Sequence, residues 1–170
     1  GILREDRTLA APGEEGEIIC KTPMLFAGYF NRPELTRAAI RDGYFLTGDV
    51  GMMDDEGYLY FLGRKSDIII TGGINVYAKD VESALSSHPA TAECAAFATP
   101  DAGLGEVVSV AIVPRSGAEM DTKSLRHHCA KHLADFQQPR RYCVVKQLPR
   151  NATGKIQKHV LREQLDGTPT

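Results

Sequence analysis

The sequence predicts an α+β protein in two parts: a β-rich first part, then a mixed second part in the order β-α-β-β-α-β-α. Three observations predict this. Up to about Leu62, apolar residues come in short runs divided by Gly, Pro, Asn and Asp, the pattern of strands and turns. Beyond that point short apolar runs alternate with stretches of helical period. Between the two, Gly63-Arg64-Lys65-Ser66-Asp67 is short, charged and opens on a glycine.

The elements follow in order. Residues 17–20 make a short strand. Asn31-Arg32-Pro33-Glu34 starts a helix, with Asn31 as the cap and Pro33 in the first turn, where its missing N–H costs nothing; the helix runs to about Arg41. Residues 44–53, the turn Asp54-Asp55-Glu56-Gly57 and residues 58–62 read as a β-hairpin. In the second part, residues 68–71 are a strand and 79–87 a helix that stops at His88-Pro89. Residues 92–98 and 107–113 are strands. Residues 122–136 form the clearest helix, with Leu125, Cys129, Leu133 and Phe136 on one face. Residues 142–145 are a strand and 157–165 a final helix. The sheet of this part is expected to have at least three strands with helices on one or both faces. The tail Gly167-Thr168-Pro169-Thr170 is expected to fray.

Composition narrows the function classes. Of 170 residues, 42% are hydrophobic and the formal net charge is −2, enough for a core and no electrostatic case for nucleic acid or an anionic membrane. No apolar stretch approaches the roughly 20 residues of a transmembrane helix. The chain opens on Gly1 rather than Met and has no signal peptide pattern, so it is expected to be an excised piece. Cys20, Cys94, Cys129 and Cys143 form no CxxC pair and read as small buried hydrophobes in a reducing compartment.

Several residues could carry chemistry. Pro149-Arg150-Asn151-Ala152-Thr153-Gly154-Lys155 is a turn-rich loop. It is not a phosphate-binding Walker loop, because Pro149 stands at the first glycine and Ile156 follows the lysine. What remains is one lysine on a loop, ordinarily a solvated charge but able to meet a phosphate or a developing oxyanion. Asp49, after Thr47-Gly48, is either a turn residue or an acceptor for the vicinal hydroxyls of a ribose. Arg64 is a surface guanidinium near the junction. Gly72-Gly73 is a tight turn after a strand or a place of close backbone approach to a ligand. His128 and His132 are spaced i, i+4 beside His127, half a metal site at most; no metal site is expected.

In order and spacing these motifs are more specific than singly. Thr47-Gly48-Asp49, Gly63-Arg64-Lys65-Ser66-Asp67, Gly72-Gly73-Ile74-Asn75-Val76-Tyr77 with Asp80-Val81-Glu82, then Pro149-Arg150 with Gly154-Lys155 resemble the closing signatures of the adenylate-forming superfamily. Gly28-Tyr29-Phe30-Asn31-Arg32-Pro33-Glu34, Pro100-Asp101 and Gly105-Glu106 fit as lesser markers. The resemblance spans residues 16–162. It implies that residues 1–63 are the C-terminal, β-rich end of a large domain, 64–67 a hinge and 68–170 a mobile C-terminal lid. It implies an acid–CoA ligase, activating a fatty or aryl acid as acyl-AMP and passing it to CoA, with ATP and Mg²⁺ bound mainly by an upstream body. Asp49 and Arg64 would then hold the ATP ribose, and Lys155 the α-phosphate and carboxylate during adenylation. Gly72 and Gly73 would line the path of the CoA thiol arm, and Ser66 would be the hinge residue, where Asp or Lys is usual.

Further expectations follow from the resemblance: a cytoplasmic protein, no activity from this piece alone, and acetylation of Lys155 by a lysine acetyltransferase. The lid of a peptide-synthetase adenylation domain is an alternative. Ile70 argues against it, since amino-acid-activating domains usually carry Lys there. A non-catalytic docking module is another.

Overall fold

The computed structural model describes residues 1–166, with side chains described to Gln164. The tail expected to fray, Gly167–Thr170, lies outside the described residues. The chain folds as two compact units, Gly1–Ser66 and Asp67–Thr170.

The first unit is a five-stranded antiparallel sheet. Its strands are β1 (Ile2–Leu3), β2 (Glu15–Cys20), β3 (Ile40–Arg41), β4 (Tyr44–Met53) and β5 (Leu59–Arg64). They lie in the order β1-β2-β4-β3, with β5 also paired to β4. The hairpin expected at 44–62 is β4–β5. Its turn closes on Asp54, whose carboxylate accepts from the N–H groups of Glu56 and Tyr58 and from the Tyr60 hydroxyl. The helix expected near 31–41 is α1 (Pro33–Ala39). Its cap is Arg32 rather than Asn31, and the Arg32 side chain makes no capping hydrogen bond. Asn31 sits instead at φ 51°, the left-handed conformation that Asn tolerates better than most residues. The buried hydrophobic side chains of this unit are Ile2, Ile19 and Val50, whereas Met24, Phe30, Leu35, Tyr58, Leu59, Tyr60 and Phe61 are exposed. Cys20 is also exposed, against the expectation of burial. It is the last residue of β2, where the alternation of faces turns it outward.

The second unit has one strand more than its expected order. It runs β6 (Ile68–Thr71), β7 (Ile74–Tyr77), α2 (Ala78–Ser86), β8 (Thr91–Asp101), β9 (Gly105–Pro114), α3 (Thr122–His132), β10 (Arg141–Val144) and α4 (Lys158–Asp166). The extra strand is β7. Gly72-Gly73 therefore closes a β-hairpin and does not lead straight into a helix. The sheet order is β10-β9-β6-β7, with β8 also on β9; β10 runs parallel to β9 and the other pairs are antiparallel.

Helices cover both faces, so β8 and β9 read as nearly continuous apolar runs. One face packs Ala96, Ala98, Val108, Val110 and Ile112 against Val81 and Leu85 of α2 and Leu125 and Cys129 of α3. The other packs Ala95, Phe97 and Ala111 against Leu161 of α4 and against Leu148 in the loop that precedes it. The alternation of Ala96 with Ala95 and Phe97 is the period of two. Each fully buried Val, Leu or Ile contributes about 1.5–3 kcal/mol.

Helix α3 ends four residues earlier than the periodicity suggested. Asp121 caps it, accepting from the N–H groups of Lys123 and Ser124. The chain leaves the helix at Leu133, whose φ and ψ are extended. Phe136 then falls in a separate 3₁₀ turn (Asp135–Gln137) and is 43% exposed, so it does not extend the buried face.

Candidate functional site

In the first unit, the register of β4 and β5 sets Asp49 opposite Arg64. Arg64 Nε lies 2.9 Å from Asp49 Oδ1. The contact is an ion pair, and Oδ1 is a buried atom with no hydrogen-bond partner among the described residues. The turn before it is tightly held. Gly48 has φ 72°, its N–H donates to Glu17 Oε1, and the Thr47 hydroxyl donates to the Ile18 carbonyl while accepting from the Asp49 N–H. Lys65 Nζ reaches the other oxygen of Glu17 at 3.0 Å. Glu17 and Lys65 thus brace the Asp49 turn. Sequence reasoning missed both: Lys65 stood in the junction motif without a role, and Glu17 carries no local signal because its partners are 31 and 48 residues away. The expected hinge residue, Ser66, lies in a 3₁₀ turn of three residues, Lys65–Asp67.

In the second unit, Gly72 (φ 55°) and Gly73 (φ 81°) are both left-handed, the pattern of a type I′ hairpin turn. A Cβ at Gly72 would come within 3.3 Å of Leu104, whereas at Gly73 the space is open. The β8–β9 turn supports this hairpin. Gly72 N–H donates to the Leu104 carbonyl at 3.0 Å, and Ile70 N–H donates to Glu106 Oε2 at 3.0 Å. Asp101 shapes the supporting turn by accepting from the N–H groups of Gly103 and Leu104. Those two donors hold its carboxyl below the ordinary carboxylate range. Pro100-Asp101 and Gly105-Glu106, lesser markers in the sequence, are therefore the frame of the glycine turn.

Lys155 is exposed, on a loop that is closed on itself. Asn151 Oδ1 accepts from the Lys155 N–H, the Thr153 N–H and the Thr153 hydroxyl. Arg150 donates to the Gly154 carbonyl and pairs with Glu93 of β8 at 2.8 Å. At the loop's end Gln157 N–H returns to the Pro149 carbonyl. The backbone is thus fixed while the lysine side chain projects into solvent. Lys155 and the glycine turn belong to the second unit, Asp49 and Arg64 to the first.

His88 and His128 are engaged within the unit by hydrogen bonds. His128 Nε2 lies 3.0 Å from the Ala84 carbonyl and 2.8 Å from the Ser87 hydroxyl, so it carries the proton and donates. His88 is buried, accepts from Ala90 N–H at Nδ1 and meets Ser124 at Nε2. Burial first, and His128 second, lower the His88 pKa from 6.5. His128 packs edge-to-face against His88 and at a tilt against His132. Among the described residues no three His, Cys, Asp or Glu side chains converge as a metal site would require.

Comparison with known proteins adds what geometry does not. Residues 80–155 match the family model described as the AMP-binding enzyme C-terminal domain. The chain is 45% identical over 160 residues to a long-chain-fatty-acid–CoA ligase of Bacillus subtilis, covering 94% of this chain and 29% of that protein. It is 41% identical over 164 residues to a 2-succinylbenzoate–CoA ligase of Bacillus cereus, covering 96% and 34%. The chain thus spans about a third of the length of these relatives. Among solved structures, ATP-bound MatB from Rhodopseudomonas palustris matches with a TM-score of 0.88 at 40% identity, over 98% of this chain and 33% of that one. An amide bond synthetase from Marinactinospora thermotolerans matches with a TM-score of 0.86 at 36% identity, over 96% and 34%.

Proposed function

The chain belongs to the adenylate-forming family that carries the AMP-binding enzyme C-terminal domain, and from that premise we propose that it is the C-terminal part of an ATP-dependent acid–CoA ligase. The observation that carries this reading is a likeness to ligases of two unlike acids, a long-chain fatty acid and 2-succinylbenzoate, over nearly the whole chain. What such enzymes have in common is the chemistry: a carboxylate and ATP yield acyl-AMP and pyrophosphate, and a thiol then displaces AMP. The identity of the acid is set elsewhere in the full protein.

The residues take these roles. The Asp49 carboxylate, 27% exposed beside Arg64, suits the hydroxyls of a ribose, since a carboxylate is acceptor-only and has lone pairs beyond those the ion pair uses. Arg64 supports it electrostatically. Lys155 offsets repulsion between carboxylate and α-phosphate, two anions that must meet. The backbone of Gly72-Gly73 lines the thiol's approach in the second step. Residues 1–63 are read as the margin of a larger domain, which their three buried hydrophobics and row of exposed aromatics support. Residues 64–67, with Ser66, are read as a hinge and 68–170 as a lid that presents Lys155 and the glycine turn in alternation. ATP would bring Mg²⁺, which neutralises phosphate charge; no residue of this chain is assigned to it.

The cytoplasm is the proposed compartment, supported by four cysteines that are all free thiols. No helix among the described residues is long and apolar enough to cross a membrane. A lysine acetyltransferase is a proposed partner at Lys155, since acetylation would remove the charge adenylation uses.

The test is a panel of fatty and aryl acids with ATP, assayed for AMP release on the full protein, with CoA and separately with amines. AMP release that depends on CoA supports the reading. Release that depends on an amine alone would favour the amide-forming chemistry of the Marinactinospora neighbour. No release with any acid overturns both.

A further inference from the structure

Lys158 opens α4, three residues after Lys155. Its ammonium lies 2.7 Å from Glu82 Oε1 on α2 and 3.4 Å from Asp67 Oδ2. The same Glu82 oxygen accepts from Ala96 N–H of β8 at 2.9 Å. Three segments far apart in sequence therefore meet at one cation: the first residue of the second unit, the helix after the glycine hairpin, and the helix that continues the Lys155 loop. The lysine side chain is only 21% exposed, and two carboxylates engage its three donors. It is thus committed inside the unit and not available to a ligand's phosphate, unlike exposed Lys155.

The Lys155 loop is held at two ends. Its start is held by Arg150 on Glu93 of β8, and its end by Lys158. Asp67 immediately follows the proposed hinge residue, Ser66. The cluster holds two carboxylates and one ammonium. Removing the ammonium takes the shared cation from two partly buried carboxylates, and like charges brought near one point push apart. The segments that would separate are the hinge-side chain and the base of the catalytic loop.

We propose that Lys158 is a positioning residue for adenylation. It clamps the end of the Lys155 loop to Asp67 and Glu82, so that the loop and the last residue of the hinge move as one body. The proposal rests on the reading of Lys155 as the adenylation lysine.

The experiment uses the full protein and the two half-reactions separately: adenylate formation from acid and ATP, and thioester formation from supplied acyl-adenylate. Lys158→Met is expected to lower kcat of adenylation roughly tenfold, as small misplacements of a positioned group do. KM for ATP and acid should change by less than about twofold, and thioester formation should stay within about twofold. Lys158→Arg, which keeps the charge and can bridge two carboxylates, should restore adenylation. Glu82→Gln keeps an acceptor for Ala96 N–H but loses the charge; it should reproduce the slow adenylation even if Lys158→Met does not fold. Lys155→Ala run in parallel isolates the premise: if it adenylates normally, the reading of Lys155 fails by itself. If Lys155→Ala is slow while Lys158→Met or Glu82→Gln adenylates normally, the positioning role is overturned, whatever happens to the melting temperature. Equal loss in both half-reactions, unrescued by Arg, overturns it as well.

Discussion

Asp49 and Arg64 stand directly opposite each other on β4 and β5, with Arg64 Nε 2.9 Å from an Asp49 oxygen that has no hydrogen bond among the described residues. The Asp49 side chain is 27% exposed, and the lone pairs that the ion pair leaves over can accept from a ligand's paired hydroxyls. Asp49→Asn keeps the size and replaces an acceptor by a donor. In the full protein we predict that it raises KM for ATP on the order of tenfold to a hundredfold, the cost of losing charge-assisted hydrogen bonds. KM for the acid should be unmoved. Steady-state titration of ATP at saturating acid measures this, and an unchanged KM removes Asp49 from the nucleotide site.

Lys155 is predicted to serve the first half-reaction only. Lys155→Ala should slow adenylate formation by about 10²–10³-fold, the range for losing one preorganised charge, while supplied acyl-adenylate is still converted to thioester. Rapid-quench measurement of both steps separates them; equal loss would contradict an alternating lid.

At Gly73 the structure separates two explanations of the glycine. The space around it is open but its φ is 81°, so a side chain is opposed by backbone conformation and not by a clash. Gly73→Leu should leave pyrophosphate exchange within about twofold and lower CoA transfer roughly tenfold or more, from strain of this kind and from a side chain on the thiol path. Gly73→Asn, which tolerates the left-handed region, should lose less. Loss of exchange in either variant would assign the turn to folding or to ATP.

Acetylation is predicted to select Lys155 over Lys158. Lys155 projects from an exposed loop, whereas Lys158 is engaged by Asp67 and Glu82. Incubation of the full protein with acetyl-CoA and a lysine acetyltransferase, followed by mass mapping, should find Lys155 modified and adenylation stopped with thioester formation spared. Modified Lys155 with full adenylation would end the idea.

Stability should fall in mild acid. The folded-state pKa of His88 lies below its ordinary 6.5, because burial and then His128 disfavour the cation. As pH drops below about 6.5 the unfolded chain takes up this proton before the folded one, so the unfolded state gains. The contribution is complete above that pH and is lost progressively below it. Melting temperatures from about pH 8 to pH 5 should decline, and His88→Gln should flatten the decline. An unchanged slope in the variant would show that other groups set the acid limb.

Much of this protein was determined by local sequence. The helix at Thr122 is dictated by Asp121 and the spacing of Leu125 and Cys129, the β4–β5 hairpin by its Asp54-Asp55-Glu56-Gly57 turn, and the family resemblance by the order of the motifs. These are properties of neighbours in the chain, where capping, turn geometry and hydrophobic period act over a few residues. Tertiary structure decided the rest. Strand β7 was hidden because four residues, Ile74–Tyr77, are too few to display a period and only pairing with β6 defines them. Phe136 lost its place on the α3 face because the chain leaves the helix at Leu133. Glu17 became a brace for Asp49, and Lys158 a clamp on Asp67 and Glu82. Such roles belong to charges brought together across dozens of residues, and no local pattern encodes a partner that only folding brings within reach.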